Sequence, residues 1–397
     1  MSQSILIITL PPLTGGVPDK AKILVCHLRK LGYRVTVSHY ATYRDYPELV
    51  VTSWQYPAGK QPEMSEGICF EDFPCVSVGC WLPELEFTYY LLSAYWRRLI
   101  KNHDRHIVVG GTVLTSYPLA ALGVPHLVWC ASTMIDDRAE RRRSMPFVRR
   151  QFDRFFISPV QRVMERKIMK GNGRFMAVSS YALKSLTSSG GIPEQFSRVP
   201  IPVNLGIFKP PSRPPEPGII GFAGRPGDPR KNLALLFHAL KRLLERERMV
   251  ALKLTGDAPE PLLRLANELG LSEHISWTGW LKEDDLPGFY QELDVFVIPS
   301  TQEGLNIAGL QAMATAIPVV STRCGGPEDY VIDGQTGALV SFDADEMAAA
   351  IAAITQEREK RNELGRNARR FVEENYSHDR FRASFADAWH QTWGDRP

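Results

Sequence analysis

The sequence predicts an α/β protein in which two doubly wound parallel sheets, each its own domain, face a cleft. Three observations carry that expectation. Apolar runs of strand length alternate with amphipathic helical stretches almost from end to end. A proline-dense stretch (Pro200, Pro202, Pro210, Pro211, Pro214, Pro215, Pro217) interrupts the alternation as an extended connection, after which it restarts. And 397 residues exceed what one ordinary core accommodates.

Taken in order, Ser4 to Leu10 is an apolar strand, Pro18 to Leu31 a helix closed by Gly32, and Arg34 to Tyr40 the next strand. Ala41 to Pro83 is read as irregular loops. Trp81 to Ile100 is the most apolar helical candidate, but it carries Glu84, Glu86, Arg97 and Arg98 and so does not span a membrane. His106 to Val109, His126 to Cys130 and Arg174 to Val178 continue the first series. Beyond the prolines, strands are expected at Ile219 to Ala223, Ala251 to Thr255, Ile275 to Thr278, Val295 to Ile298 and Ile317 to Ser321. The helices between them run near Asn232 to Glu247, Glu260 to Leu269, Glu283 to Glu292 and Leu305 to Thr315. Repeated βα units in two blocks place the parallel sheets.

Composition narrows the function classes. The chain is 44% hydrophobic and 23% charged, without repeats or low-complexity tracts. A net charge of +3 argues against a protein whose main task is holding nucleic acid. The first residues lack a basic n-region and soon meet Pro11-Pro12, against a secretory signal. Six cysteines show no CxxC pair and no ordered spacing with histidine, so a reduced, cytoplasmic protein without structural zinc is expected.

Chemistry concentrates in the second block. Glu303-Gly304-Leu305-Asn306-Ile307 follows a buried strand and opens a helix, so a carboxylate stands at the carboxyl edge of a sheet beside helix N–H groups. Open α/β sheets bind ligands there, and a sugar nucleotide offers both hydroxyls and negative charge. Glu303 capping its own helix is the plainer alternative. Arg225, in a Gly/Pro-rich turn after a strand, can meet phosphate oxygens bidentately, and Lys231 adds a compact charge at the start of the next helix. Two cations at a diphosphate would stabilise a leaving group without a divalent ion. Asp343-Ala344-Asp345 is read as a helix N-cap rather than a metal motif, and Asp136-Asp137 as surface, so no metal is assigned.

Together these features resemble the retaining GT-B glycosyltransferases of glycosyltransferase family four, most closely from about Val199 to Val340. Glu303 and the position eight residues later match the paired-glutamate signature. Gly224-Arg225 and Lys231-Asn232 look like the Arg and Lys that hold the donor diphosphate. Pro202-Val203-Asn204 with Phe208 and Pro210 resembles the hinge segment, while Gly325-Gly326-Pro327-Glu328 and Gly334-Gln335-Thr336-Gly337 match downstream elements. The resemblance implies two Rossmann-like domains: residues 1–202 on the acceptor side, with a helix over 377–397 packing back onto it, and 203–376 binding the donor. It implies transfer of a sugar from a nucleoside diphosphate sugar to an acceptor hydroxyl with retained configuration, no metal and no cofactor. Glu303, Arg225 and Lys231 are then catalytic. Gly16, Gly304, Leu305, Asn306, Ile307 and Gln311 complete the donor site.

Some positions depart from the pattern. Gln311 stands where a second Glu usually accepts bonds from the ribose; it keeps one carbonyl acceptor and loses the charge. Asn306 replaces a common Gly. Gly15-Gly16 resembles the family's Gly-rich loop, or is a plain tight turn. His126, at a strand's start, is read as structural. Arg138 to Arg154 holds seven arginines among Met145, Phe147, Val148 and Phe152. It is an amphipathic face for an anionic membrane, a dock for an anionic acceptor, or a solvated salt-bridged helix. Phe381, Phe385 and Trp389, at i, i+4 and i+8, are read as packing. A sugar-nucleotide epimerase or hydrolase, or a degenerate binding protein, stays open as an alternative. The acceptor class (glycan, lipid-linked or small molecule) is not encoded in any pattern above.

Overall fold

A computed structural model describes residues 3–11, 16–70, 72–143, 145–212, 217–246 and 249–397, apart from the side chains of 139–141 and 143. Gly15, Pro214, Pro215 and the side chains of Arg141 and Arg143 lie outside that description. The chain divides into two compact units, Met1–Val199 with Ala383–Pro397, and Pro200–Arg382.

The first unit holds eight strands: β1 (Ser4–Thr9), β2 (Arg34–Tyr40), β3 (Met64–Cys69), β4 (Phe73–Val78), β5 (Arg105–Val109), β6 (His126–Cys130), β7 (Gly173–Ala177) and β8 (Phe196–Arg198). Their order is β3-β4-β2-β1-β5-β6-β7-β8, parallel throughout except for the antiparallel β3–β4 pair at one edge. The central strand β1 is buried on both faces, with Ile5 to Ile8 at 0% exposure, as crossover helices on both sides require. Helix Gly16–Lys30 buries Ala21, Leu24, Val25 and Leu28, the i, i+3, i+4, i+7 stripe of a helix on a sheet.

The second unit holds β9 (Ile219–Phe222), β10 (Ala251–Leu254), β11 (Ile275–Trp277), β12 (Val295–Ile298), β13 (Val319–Thr322) and β14 (Gly337–Val340). All pairs are parallel and the order is β11-β10-β9-β12-β13-β14. Chain order therefore reverses between β9 and β12, and the loops leaving those two strands open at the point where such sheets take ligands. Leu236, Phe237, Leu240 and Leu243 of helix Leu233–Glu245 pack with Met347 and Ile351 over Ile220, Phe222, Val295 and Val297.

Four expectations need correction. Trp81 to Ile100 is not one helix: 3-10 turns at Pro83–Leu85 and Phe87–Tyr90 precede a helix confined to Ala94–Lys101. Leu82 and Glu86 have φ of 52° and 56°, a left-handed backbone that no continuous helix tolerates. Ala41 to Pro83 is not wholly irregular, because it contains β3 and β4. Arg138 to Arg154 is not a single basic face. Arg138 is 3% exposed and bridges Glu86 and Asp153; Arg142 also pairs with Asp153, and Arg149 with Glu86. Asp136 is not a free surface carboxylate, since it accepts from Thr133 Oγ1 and Ser185 Oγ.

Candidate active site

The loop after β9 begins at Gly224, whose N–H donates to Thr255 Oγ1 at 3.1 Å. Asp228 turns the chain by accepting from the Arg230 amide at 3.0 Å, and the Lys231 amide donates to Asp228 O at 2.9 Å. A Cβ on Gly224 would sit 3.6 Å from Lys231 Cε, so the lysine stem runs along the backbone at the end of β9. The loop after β12 meets this turn directly: the Thr301 amide donates to Arg230 O at 2.8 Å.

Lys231 and Glu303 consequently touch. Lys231 Nζ lies 2.6 Å from Glu303 Oε1, with side chains 18% and 12% exposed. Ser300 Oγ and Asn306 Nδ2 donate to the same oxygen at 2.7 and 2.9 Å. Three donors on Oε1 fix the carboxylate and leave Oε2, which can only accept, without a partner among the described residues. Lys231 retains two ammonium N–H groups beyond the one given to Glu303. Arg225 opens the same turn with an exposed side chain, and its guanidinium has no partner among the described residues.

The backbone of Glu303 is clamped by the Gly325-Gly326 turn. Its N–H donates to Cys324 O at 2.8 Å, and its carbonyl accepts from the Gly326 amide at 2.9 Å. A Cβ on Gly326 would fall 2.4 Å from Leu305 Cα and 2.5 Å from Gly304 O, so only glycine allows this approach. Burial pushes the Cys324 thiol up to about 12, with the Glu303 carboxylate adding to the effect, so this sulfur stays neutral beside the site.

Asn306, not Glu303, caps helix Ile307–Ala314: its side-chain oxygen accepts from the Gly309 amide at 3.0 Å. At φ 69° Asn306 occupies the left-handed region, which explains why glycine is the common alternative and why asparagine substitutes for it. Tyr330 Oη donates to Asn306 O at 2.9 Å and holds the cap from behind. Leu305 is 4% exposed and belongs to the core, so only its backbone can meet a ligand. Gly304 and Ile307 flank the cap, partly exposed. The Gln311 side-chain oxygen accepts from Tyr290 Oη at 3.0 Å, which uses one of its two lone pairs. Its amide group and the second lone pair of that oxygen have no bond to another described residue.

Glu303, Lys231 and the loop of Arg225 are thus brought together in the second unit, whereas Gly16 opens helix Gly16–Lys30 in the first. Ser300 and Tyr290 were not singled out from sequence. Ser300, three residues before a loop carboxylate, is a local signal; Tyr290 meets Gln311 only through tertiary packing. Asp343 caps its helix, accepting from the Glu346 amide at 2.9 Å. His126 is buried, with Nδ1 2.8 Å from Val124 O and no partner for Nε2 among the described residues.

Residues 217–357, which include Arg225, Lys231, Glu303, Asn306 and Gln311 but not Gly16, match the family profile described as Glycosyl transferases group 1. The GDP-mannose-dependent alpha-(1-6)-phosphatidylinositol monomannoside mannosyltransferase of Mycolicibacterium smegmatis is 29% identical over 304 residues, 72% of this chain and 76% of that protein. Among solved structures, HepE of Anabaena in complex with UDP and glucose superimposes with a TM-score of 0.73 at 15% identity, covering 98% of this chain and 99% of that one. Sucrose-phosphate synthase of Thermosynechococcus elongatus gives 0.74 at 18%, covering 99% of both. With the GT-B fold along its length and glycosyltransferase similarity across the residues that build this site, the chain is an enzyme of the glycosyltransferase class.

Proposed function

We propose that the chain is a retaining, metal-independent glycosyltransferase that moves a hexose from a nucleoside diphosphate sugar to an acceptor hydroxyl. The single observation behind this reading is the Lys231–Glu303 contact of 2.6 Å at the β9/β12 reversal, which sets a cation for phosphate beside a carboxylate for sugar. Glu303 Oε2 accepts from a hydroxyl of the donor hexose and orients the ring. The two remaining ammonium N–H groups of Lys231 and the unpaired guanidinium of Arg225 take the diphosphate oxygens. As the acceptor oxygen bonds to the anomeric carbon on the leaving-group face, the anomeric C–O bond breaks and its electron pair passes to the diphosphate. The acceptor proton leaves with a phosphate oxygen. The two cations meet charge where it develops, which is where such groups lower a barrier.

The Mycolicibacterium relative makes GDP-mannose the first donor to test, and the HepE complex makes UDP-glucose the second. The purified chain is incubated with each donor and a panel of acceptors. Nucleoside diphosphate release that depends on acceptor, survives EDTA and yields a product with the donor's anomeric configuration by NMR is the expected result. Release independent of acceptor would point to a hydrolase. A product of opposite configuration would remove the retaining mechanism, and donor binding without turnover would make the chain a binding protein.

A further inference from the structure

We infer that Tyr43 and Trp54 of the first unit form a stacking platform for the pyranose ring of a neutral saccharide. Tyr43 follows β2, which ends at Tyr40, and Val51 pairs with Trp81, just past the end of β4 at Val78. β2 and β4 are parallel, so the segment lies at their shared carboxyl edge, where open α/β sheets take ligands. Trp54 is 65% exposed and Tyr43 46%, and their rings meet at 88° with centroids 6.2 Å apart, an open aromatic corner. The chain beneath them is held firmly. Ala41, Leu49, Val50 and Cys80 bury a small core of their own, against which Tyr46 and Tyr89 pack. The Tyr43 amide donates to Tyr89 Oη at 3.3 Å, and the Val51 amide to Cys80 O at 2.9 Å. That core accounts for the fold of the segment without Tyr43 and Trp54. Two adjoining large aromatics turned outward from it mark an interaction site, unlike the scattered single hydrophobics of an ordinary surface.

The polar groups beside the corner select the ligand. The Gln55 side-chain oxygen accepts from the Thr52 amide at 3.1 Å and from Thr52 Oγ1 at 2.9 Å. A backbone N–H can only donate, so the other end of Gln55 is its NH2, and that donor has no partner among the described residues. Glu84 Oε1 accepts from the Ser53 amide at 3.0 Å and from Ser53 Oγ at 3.2 Å, while Oε2 bonds to no described residue. Trp54 thus stands between two residues, Ser53 and Gln55, that bring a free acceptor and a free donor to its side. A sugar ring meets both demands: its C–H face is apolar enough to lie on an aromatic ring, and its hydroxyls both donate and accept. An apolar protein surface would cover the carboxylate and the amide without bonding them, which is costly. The Glu84 carboxylate also repels an anionic group, so the ligand is a neutral saccharide portion and not a phosphate. Aromatic surface with a few placed polar groups is the usual make-up of a small-ligand site. Assigning this ring to the acceptor rests on the proposed function; the platform itself does not.

The test uses the full chain without any donor, so its result is independent of the proposed reaction. Saturation-transfer difference NMR is recorded with methyl β-D-glucopyranoside, methyl β-D-galactopyranoside and methyl α-D-mannopyranoside, and with sorbitol, which has no ring face, as control. A difference signal on the ring C–H protons of at least one glycoside, and none on sorbitol, is expected. Trp54→Ala should weaken that binding about tenfold and Trp54→Phe should recover most of it, with the melting temperature kept because the side chain is exposed. Glu303→Gln should leave the signal unchanged, since that residue belongs to the second unit. Absence of a signal from all three glycosides would overturn the inference; with turnover in the donor assay, it would strike the platform and leave the proposed function standing. A signal that Trp54→Ala leaves intact would also overturn it, as would a dimer in sedimentation velocity that Trp54→Ala dissolves without any glycoside binding.

Discussion

At the scale of single residues, Lys231 and Glu303 are each other's counter-ion, and under the proposed function they hold different parts of one donor. Replacing either leaves the other partly buried beside Ser300 and Asn306 with an altered hydrogen-bond set. Glu303→Gln keeps the shape, removes the charge and should lower kcat/KM on the order of 100-fold; Lys231→Met removes a leaving-group cation and should cost on the order of 100- to 1,000-fold. Steady-state kinetics separates the two roles. Lys231→Met should act mainly on kcat, and a pure rise in KM would assign Lys231 to uniform donor binding instead. His126 makes a second residue-scale prediction. Burial lowers its pKa from 6.5 to about 4, so the folded protein holds it neutral while the unfolded chain binds a proton below 6.5. Stability is therefore complete above pH 6.5 and is lost as pH falls through about 4, by about 3 kcal/mol in total for a shift of this size. Urea denaturation at pH 7 and pH 4.5 checks it: the loss should shrink in His126→Asn, and an equal loss in both proteins would place the acid sensitivity elsewhere.

At the scale of elements, the loop that carries Glu303 is held by a helix cap that sequence pattern only half reveals. Asn306 was visible as a departure from glycine, but its left-handed backbone and its bond to Glu303 depend on three-dimensional context. Asn306→Ala removes the cap of helix Ile307–Ala314 and leaves φ 69° to a side chain without the local hydrogen bonding that lets asparagine occupy it, which together should cost about 2–3 kcal/mol. Asn306→Gly should cost less, because the conformation is free for glycine, yet it still frees Glu303. The expected order in thermal denaturation is wild type, Gly, Ala; an alanine variant as stable as glycine would deny the backbone argument. The same contrast between pattern and context explains what was legible elsewhere. β1, β6 and β12 announce themselves because a strand buried on both faces is an unbroken apolar run. β3 did not, because Ser65 to Ile68 are exposed at a sheet edge and leave no period-two signal, and β4 carries Pro74 on its outer side. Trp81 to Ile100 misled because hydrophobicity without a capping signal does not distinguish a helix from packed 3-10 turns. The loop positions of Glu303, Lys231 and Arg225 were readable from the strand pattern and charge, whereas the use of Gln311 by Tyr290 links residues 21 apart on different helices.

At the scale of the whole molecule, the last helix, His378–Trp393, begins in the second unit and ends in the first, so the final residues complete a core that the opening residues began. Trp389 is fully buried there. Its indole donates to Asp395 Oδ1 at 3.1 Å, the Arg105 guanidinium lies 4.6 Å above its ring, and Tyr33 sits 5.4 Å away. Arg105 in turn pairs with Asp395, and Phe385 meets His27 edge-on at 5.6 Å. Trp389→Ala should cost about 3–5 kcal/mol, the usual range for deleting a buried large aromatic. Because its partners Tyr33 and Arg105 lie beside β2 and in β5, that loss belongs to the first unit, and a chain of two units need not unfold in one step. Hydrogen exchange on the full-length variant distinguishes the possibilities. Protection should fall in helix Gly16–Lys30 and in β1, β2 and β5 while β9, β12 and β13 keep theirs, and the Lys231–Glu303 pair with them. A uniform fall across both sheets would mean that the two units unfold as one cooperative block, and that the C-terminal helix stabilises the Lys231–Glu303 pair as much as the first core.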